Sequence, residues 1–479
     1  GQYLTDCTGG TNCSFSSGGD MYNPNYKSPR SIQMNIGIQR ELHRGMVLSA
    51  DFVRNVQTHY LLGVDQNHAG DTRYFDRAGA ADAIAATLTQ CAAATIDGAI
   101  ANCSAVNGFS STGAPIGATM ANFASNGLGS SSDMGGASCL AALGYNCAFG
   151  GKNPLAPPLS FLSPVGRSVY NGLQTKLAEN VANPFPGATA MNFQISYALS
   201  KFENTGGGVT ADNPVTASSG DQDFIIPALD NANVNRYFGP STLDRTHQLS
   251  FGGFVNFRGG LQWGVIAHFD SPFPNTLTVP NTGTGAGEIF RTDFEGSGVT
   301  QDPLPGTKVG SFDRGINASN INAAIGNFNN LVAAGTPTPA GNVLIQNGLF
   351  TAAQLATPAN PQTGYPGFGG TYNGGAPLAL APTDQVNMSW LRTFDSTLTY
   401  NFKIKERFTI SPSVSGFNIF NFVNFDLPTS EMSGLLNGQV GSINGTNYVN
   451  HFANRVGAGT GVYTLGSPRQ IEFGLKLVF

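Results

Sequence analysis

Charge is what this chain has least of: only 11% of its 479 residues are Asp, Glu, Lys or Arg, against roughly 25% in ordinary soluble domains. Long apolar runs are also missing. No stretch reaches the ~20 residues that a transmembrane helix needs, and the mean hydropathy is close to zero at -0.08. A net charge of -5 without a basic stripe argues against a nucleic-acid partner. No G-x-S-x-G, H-E-x-x-H, phosphate-binding Gly loop or dinucleotide fingerprint occurs. The histidines (His43, His59, His68, His247, His268, His451) are scattered and have no carboxylates at telling spacing. The expectation is a protein that is not an enzyme and needs no cofactor or metal.

What is present is glycine (62 residues), phenylalanine (33) and alternation. The last ten residues place Ile471, Phe473, Leu475, Leu477 and Phe479 on one face, and the chain stops on an aromatic. Such a strand can close a soluble sandwich, where an unpaired apolar edge invites aggregation. It also suits a barrel in a bilayer, where alternate residues meet lipid and lumen. The terminal pattern then reads as a barrel-assembly signal. Period-two segments recur upstream, at Ser31–Leu42, from Met46, at Ser168–Ala178, from Met191, at Leu249–Phe257, from Leu261, at Leu398–Ile404 and from Phe408. With the terminus they make about nine strands.

Turns between paired segments are short (His43-Arg44-Gly45, Asn183–Gly187, Arg258-Gly259-Gly260, Lys405-Glu406-Arg407). The segments between pairs (56–167, 202–243, 271–383 and 425–466) are long and rich in Gly, Ser, Asn and Pro. Strict alternation of short turns and long loops is the habit of outer-membrane barrels. The fold expected is therefore an all-β antiparallel transmembrane barrel, its long loops extracellular and carrying short helices. Phe257, Trp263, Phe402, Phe408 and Phe479 fall near the short-turn ends, where an interfacial aromatic girdle sits; aromatics packed under hairpins give the same pattern. Gln174, Lys176, Gln194, Gln248, Gln262 and His268 fall on the polar parity and would line a wet interior.

With a periplasmic terminus, the first strand runs inward and residues 1–30 form an extracellular segment ahead of the barrel portion 31–479. A complete bacterial barrel has an even strand number, so an odd count with an extracellular start predicts further strands upstream. All six cysteines, Cys7, Cys13, Cys91, Cys103, Cys139 and Cys147, fall in expected outer segments. They read as disulfides, with local pairs (7–13, 91–103, 139–147) preferred among 15 connectivities. A metal site lacks any Cys-x-x-Cys. Helices are expected at Ala80–Ala94, at Ser319–Ala334 with a Ser N-cap, and around Thr351–Leu355. They would build either an ordered cap or mobile loops. Asp221 and Asp223 could bind calcium or simply be solvated.

Particular stretches are similar to a known family. Asn23–Arg30 followed by Ile32–Leu42, Tyr170-Asn171-Gly172-Leu173-Gln174-Thr175-Lys176-Leu177, Leu243-Asp244-Arg245-Thr246-His247-Gln248-Leu249, Phe417-Asn418-Ile419-Phe420-Asn421 and Gly341–Leu355 resemble segments of Oar-like TonB-dependent outer-membrane receptors. That resemblance implies a 22-stranded barrel with an internal plug, energised by an inner-membrane TonB complex. This chain shows no plug, no TonB box and no carboxypeptidase-regulatory-like domain, so it reads as the C-terminal barrel portion. The partners implied are outer-membrane lipid, the missing plug and strands, the TonB complex, and an unidentified bulky solute or peptide captured by the loops. A structural or adhesive surface barrel that transports nothing, and a passive porin, are the other readings.

Overall fold

The computed structural model describes residues 21–109, 113, 116–135, 137–205, 226–228, 230–241, 243–272, 274, 276–279, 286–300, 302–311, 318–356, 377–378, 380, 390–404, 408–422, 424, 441–443, 446–448 and 468–479. Cys7, Cys13, Asp221, Asp223, His451 and the turn 405–407 lie outside them.

Nine long strands form one antiparallel meander: β1 (Arg30–His43), β2 (Met46–Asp65), β3 (Ser160–Ala182), β4 (Ala188–Asn204), β5 (His247–Phe257), β6 (Leu261–Asp270), β7 (Leu391–Tyr400, resumed at Phe402–Ile404), β8 (Phe408–Phe417) and β9 (Gln470–Val478). Each pairs with its sequence neighbours, so order in the chain is order in the sheet. The sheet is open, with β1 and β9 as edges among the described residues. Alternation sets the register because a one-residue slip would carry every apolar side chain to the wrong face. The β5–β6 hairpin turns on Gly259 and Gly260, at φ +89° and +98°, a backbone that side chains rarely adopt. A Cβ on Gly260 would also meet the Asn401 carbonyl. There β7 is interrupted: Asn401 donates its backbone N–H to Gly260 O at 2.8 Å and accepts from Ser411 Oγ at 2.7 Å.

Strands β2 and β3 run about ten residues into the segment expected as loop 56–167. Alternation fades there because neither face needs to meet lipid. Instead Leu62 and Val64 bury against Ala228, and Met21–Tyr22 and Ile226–Pro227 add two-residue parallel pairings. In the range 425–466, Gly441–Ile443 and Thr446–Tyr448 pair antiparallel as a separate two-stranded sheet.

Most of the helical structure lies between β2 and β3: α1 (Arg77–Gln90), α2 (Ile96–Ala101), α3 (Ser104–Asn107), α4 (Met120–Phe123) and α5 (Cys139–Leu143). Three more follow β6: α6 (Ala318–Ala333), α7 (Pro339–Gln346) and α8 (Ala352–Leu355). Asp76 caps α1 by accepting from Ala78 N and Gly79 N. At α8, Thr351 and Gln354 form a capping box. Ser319, expected as an N-cap, lies inside α6, whose apolar stripe Ile321, Ile325, Phe328 and Val332 is nevertheless buried.

These two distant loops share one core. Ala80, Ala83, Phe123, Leu128 and Phe149 from the first pack with Phe290, Leu344, Phe350 and Leu355 from the second. Aromatic contacts cross the join, Phe149–Phe290 at 5.8 Å and Phe123–Phe350 at 5.6 Å. So does a backbone bridge between Asp71 and Ser297. The result is an ordered cap.

Candidate functional site

Directly paired residues of neighbouring strands share a face, so the register sorts side chains without ambiguity. One face carries the row Ile36–Phe52–Leu173–Leu199. Farther along the sheet, the same face carries Ile195–Phe251–Ala267–Phe394 and Val414–Phe473. Ile471, Leu475 and Leu477 join them opposite Gly416, Pro412 and Ile410. The other face carries Lys176–Ser196–Ser250–His268, with Gln174 and Gln248 in the adjacent row and Gln262 farther along the same face, opposite Asn256. Gln194 lies on it too, opposite Gly252. Exposed Ile36 (74%) and Phe473 (78%) on the apolar face show what that face is built for: lipid stabilises such side chains where water would not.

Aromatics mark two levels on the apolar face. At the short-turn end Phe257 meets Phe185 at 6.3 Å, Phe402 meets Tyr400 at 4.3 Å and Phe408 meets Phe479 at 5.7 Å. Trp263 donates Nε1–H to Ser396 Oγ at 2.9 Å. The second level was not foreseen. His247 stacks between Tyr197 (6.2 Å) and Trp390 (5.5 Å) and hydrogen bonds Tyr197 Oη at 2.8 Å. Beside it, Phe394, Phe420 and Phe422 cluster, with the Arg392 guanidinium 5.0 Å from the Phe422 ring centre. From His247 to Phe257 is about 34 Å of strand at ~3.4 Å per residue, or about 26 Å along the membrane normal at a ~40° tilt. An outer-membrane apolar band is ~25 Å tall.

Two of the stretches singled out in the sequence, Leu243–Leu249 and Phe417–Asn421, form structural corners at the long-loop end. Asp244 Oδ1 accepts from Phe202 N at 2.7 Å, while buried Arg245 donates to Ser271 O at 2.8 Å. Together they lock β4, β5 and β6. Asn418 and Asn421 take positive φ, 45° and 51°. Asn418 donates to Asp395 Oδ1 and brackets Phe422 through both backbone groups, tying β7 to the end of β8. Asn421 Oδ1 receives Arg469 N just before β9.

The cap meets the sheet through Asp65 and Asn67. Asp65 accepts from Asn67 N, Ala69 N and Leu159 N at 2.7–2.9 Å. Asn67 Nδ2 lies within 3.2 Å of the Gly150, Ala156 and Pro157 carbonyls. Disulfides Cys91–Cys103 and Cys139–Cys147 cross-link the first loop, as local pairing anticipates.

Buried carboxylates hold the second loop. Asp133 accepts from Gly287 N and Ser130 N, both at 3.0 Å, and burial pushes its pKa up to about 6. Asp293 accepts four backbone N–H groups, from Glu295, Gly296, Ser297 and Gly298. Burial raises both Asp293 and Asp302, and their mutual repulsion adds to the rise on Asp302. The four donors favour the ionised form of Asp293 over that of Asp302. Among the described residues, no group of three or more His, Cys, Asp or Glu is placed to hold a metal ion. No residue spacing announced this acidic network, since its members meet only in the folded loops.

A family model described as "Outer membrane beta barrel domain" matches residues 3–456. The chain belongs to that family. Its two-faced sheet is accordingly the part of an outer-membrane β-barrel domain that crosses the bilayer, and the protein resides in the outer membrane. No curated protein matches the chain. Among solved structures, the outer membrane transporter YddB from Escherichia coli is similar over 95% of this chain and 33% of its own, with 7% identity and a TM-score of 0.36. The chain therefore spans about a third of that transporter's length, and a likeness at that level assigns no ligand.

Proposed function

We propose that this outer-membrane β-barrel chain is the C-terminal barrel portion of a TonB-dependent transporter that takes up a bulky solute or peptide. The observation that carries the reading is the mainly polar face, from Gln174 to His268, set opposite the lipid-facing one. A wet lumen of that kind suits solute passage. Two long loops condensed into one cross-linked cap suit capture at one end, taken here as extracellular. Strands β1 and β9 point the same way, because eight antiparallel steps separate them. Antiparallel closure then takes an odd number of further strands. A 22-stranded barrel would supply 13, the difference between 22 and the nine described, together with the plug and the TonB contact.

The test is uptake. Cells expressing the full-length protein are given a fluorescent peptide pool, with and without a protonophore. Accumulation that stops when the proton gradient collapses supports energised transport. Surface binding with no gradient-dependent entry sinks it and leaves the second reading, an adhesive surface barrel, which the compact disulfide-bonded cap favours. The intact mass and N-terminal sequence of the protein from outer membranes separate the two as well, since transport requires a plug upstream.

A further inference from the structure

Just beyond the apolar row Ile36–Phe52–Leu173–Leu199, toward the cap, the same outward face turns basic. The next outward row is Met34–Arg54–Asn171–Lys201. Two rows higher lies Arg30–Thr58–Arg167. Four cations thus gather on four adjacent strands, against one outward acid there, Glu203, which pairs with Lys201 at 2.7 Å. Arg54 donates to Asn171 Oδ1 at 2.5 Å, which braces its guanidinium across the strands. Arg30, Arg167 and Lys201 are exposed. Arg167 stacks its guanidinium 4.9 Å from the Phe238 ring centre, and Glu203 balances one of the four charges, which leaves a net positive patch above the apolar row that an anion would complement.

We infer that this patch binds the phosphate-bearing headgroup of a membrane lipid, with Arg54 and Lys201 gripping the phosphate and Arg30 and Arg167 reaching it from above. A lipid is favoured over free phosphate because the apolar row lies directly beneath the cations, so one molecule satisfies both with its chains and its headgroup. Guanidinium and phosphate pair through parallel N–H···O bonds. The inference rests on the outward face meeting lipid, and it is independent of transport.

The test is native mass spectrometry of the full-length protein in detergent with bis-phosphorylated lipid A or its dephosphorylated form. Wild type is expected to retain the phosphorylated lipid at least tenfold better than the dephosphorylated one. Arg54→Gln with Lys201→Gln should lose that preference, and Lys201→Gln alone, at an exposed site, should lose about threefold. The lumen-facing Lys176→Gln should keep it, and heat-dependent gel mobility verifies that each variant is folded. Unchanged preference in folded Arg54→Gln/Lys201→Gln, or equal retention of both lipids by wild type, overturns the site. Failure to retain either lipid overturns the lipid-facing assignment as well.

Discussion

The cap and the sheet are built on opposite logic within one chain. In the cap, Phe123, Leu128, Phe149 and Phe290 are fully buried, and the charged groups inside are tied to backbone N–H groups or, as Arg291 with Glu288, to each other. In the sheet, Ile36, Ile38, Phe473 and Leu475 stand exposed while glutamines and serines face the other way. Water drives the first arrangement by expelling apolar surface. The bilayer permits the second, because hydrocarbon solvates the outward face and the ladder satisfies the backbone. Equal hydrophobicity therefore has opposite consequences along one strand, β2, where Phe52 stands exposed and Leu62 is buried.

That contrast predicts which substitutions harm which region. The largest effect is expected in the cap: Phe123→Ala should remove about 3–5 kcal/mol by leaving a cavity. Rapid proteolysis between 66 and 159, with the heat-resistant mobility of the sheet preserved, is the expected readout; loss of both together would show that the two regions are not separable. Next, Phe251→Arg places a charge near the middle of the apolar face and should cost the sheet about 2–4 kcal/mol. Ser250→Arg, one residue away and lumen-facing, should cost far less in urea titrations of folded protein. If the two variants behave alike, the facial assignment is wrong. Replacing Cys91 and Cys103 by Ser should weaken the cap by roughly 2–4 kcal/mol without altering the sheet, as measured by hydrogen exchange of α1 and α2.

The smallest effect is pH dependence confined to the cap. Asp133 binds its proton more tightly folded than unfolded, at about 6 against an ordinary value of 3.8. Its contribution is therefore present at low pH and declines as pH rises from about 4 through 6. Moving from pH 7 to pH 5 should stabilise the cap by about 1 kcal/mol through Asp133, with Asp293 and Asp302 acting in the same direction and His68, whose pKa burial lowers, acting against them. Asp133→Asn should abolish its share. A cap whose proteolytic half-life, corrected for protease activity, is longer at pH 7 than at pH 5 would contradict this account.

Much of the sheet was legible because alternation is local. Ile32 to Ile38 and Leu261 to Phe269 announce their faces residue by residue, and the short turns fix which strands pair. Cys91–Cys103 and Cys139–Cys147 were legible for a related reason, since near neighbours in a loop meet easily. The upper aromatic level was harder to see, as Trp390, Phe420 and Phe422 lie off the regular strands. The outward basic patch was invisible for the same reason as the cap core: Arg54 and Lys201 are 147 positions apart in number and share a row only once β2, β3 and β4 are registered.

By itself, then, the sequence determined a low-charge, two-faced antiparallel meander whose apolar parity belongs against lipid, because period-two patterning is written along each strand. Tertiary structure alone decided that two loops separated by two strand pairs condense on one core, that Asp133 and Asp293 sit buried on backbone N–H groups, and that four cations converge beyond the apolar band. Those properties arise from contacts between distant segments, and burial changes both the cost of a charge and the company it keeps.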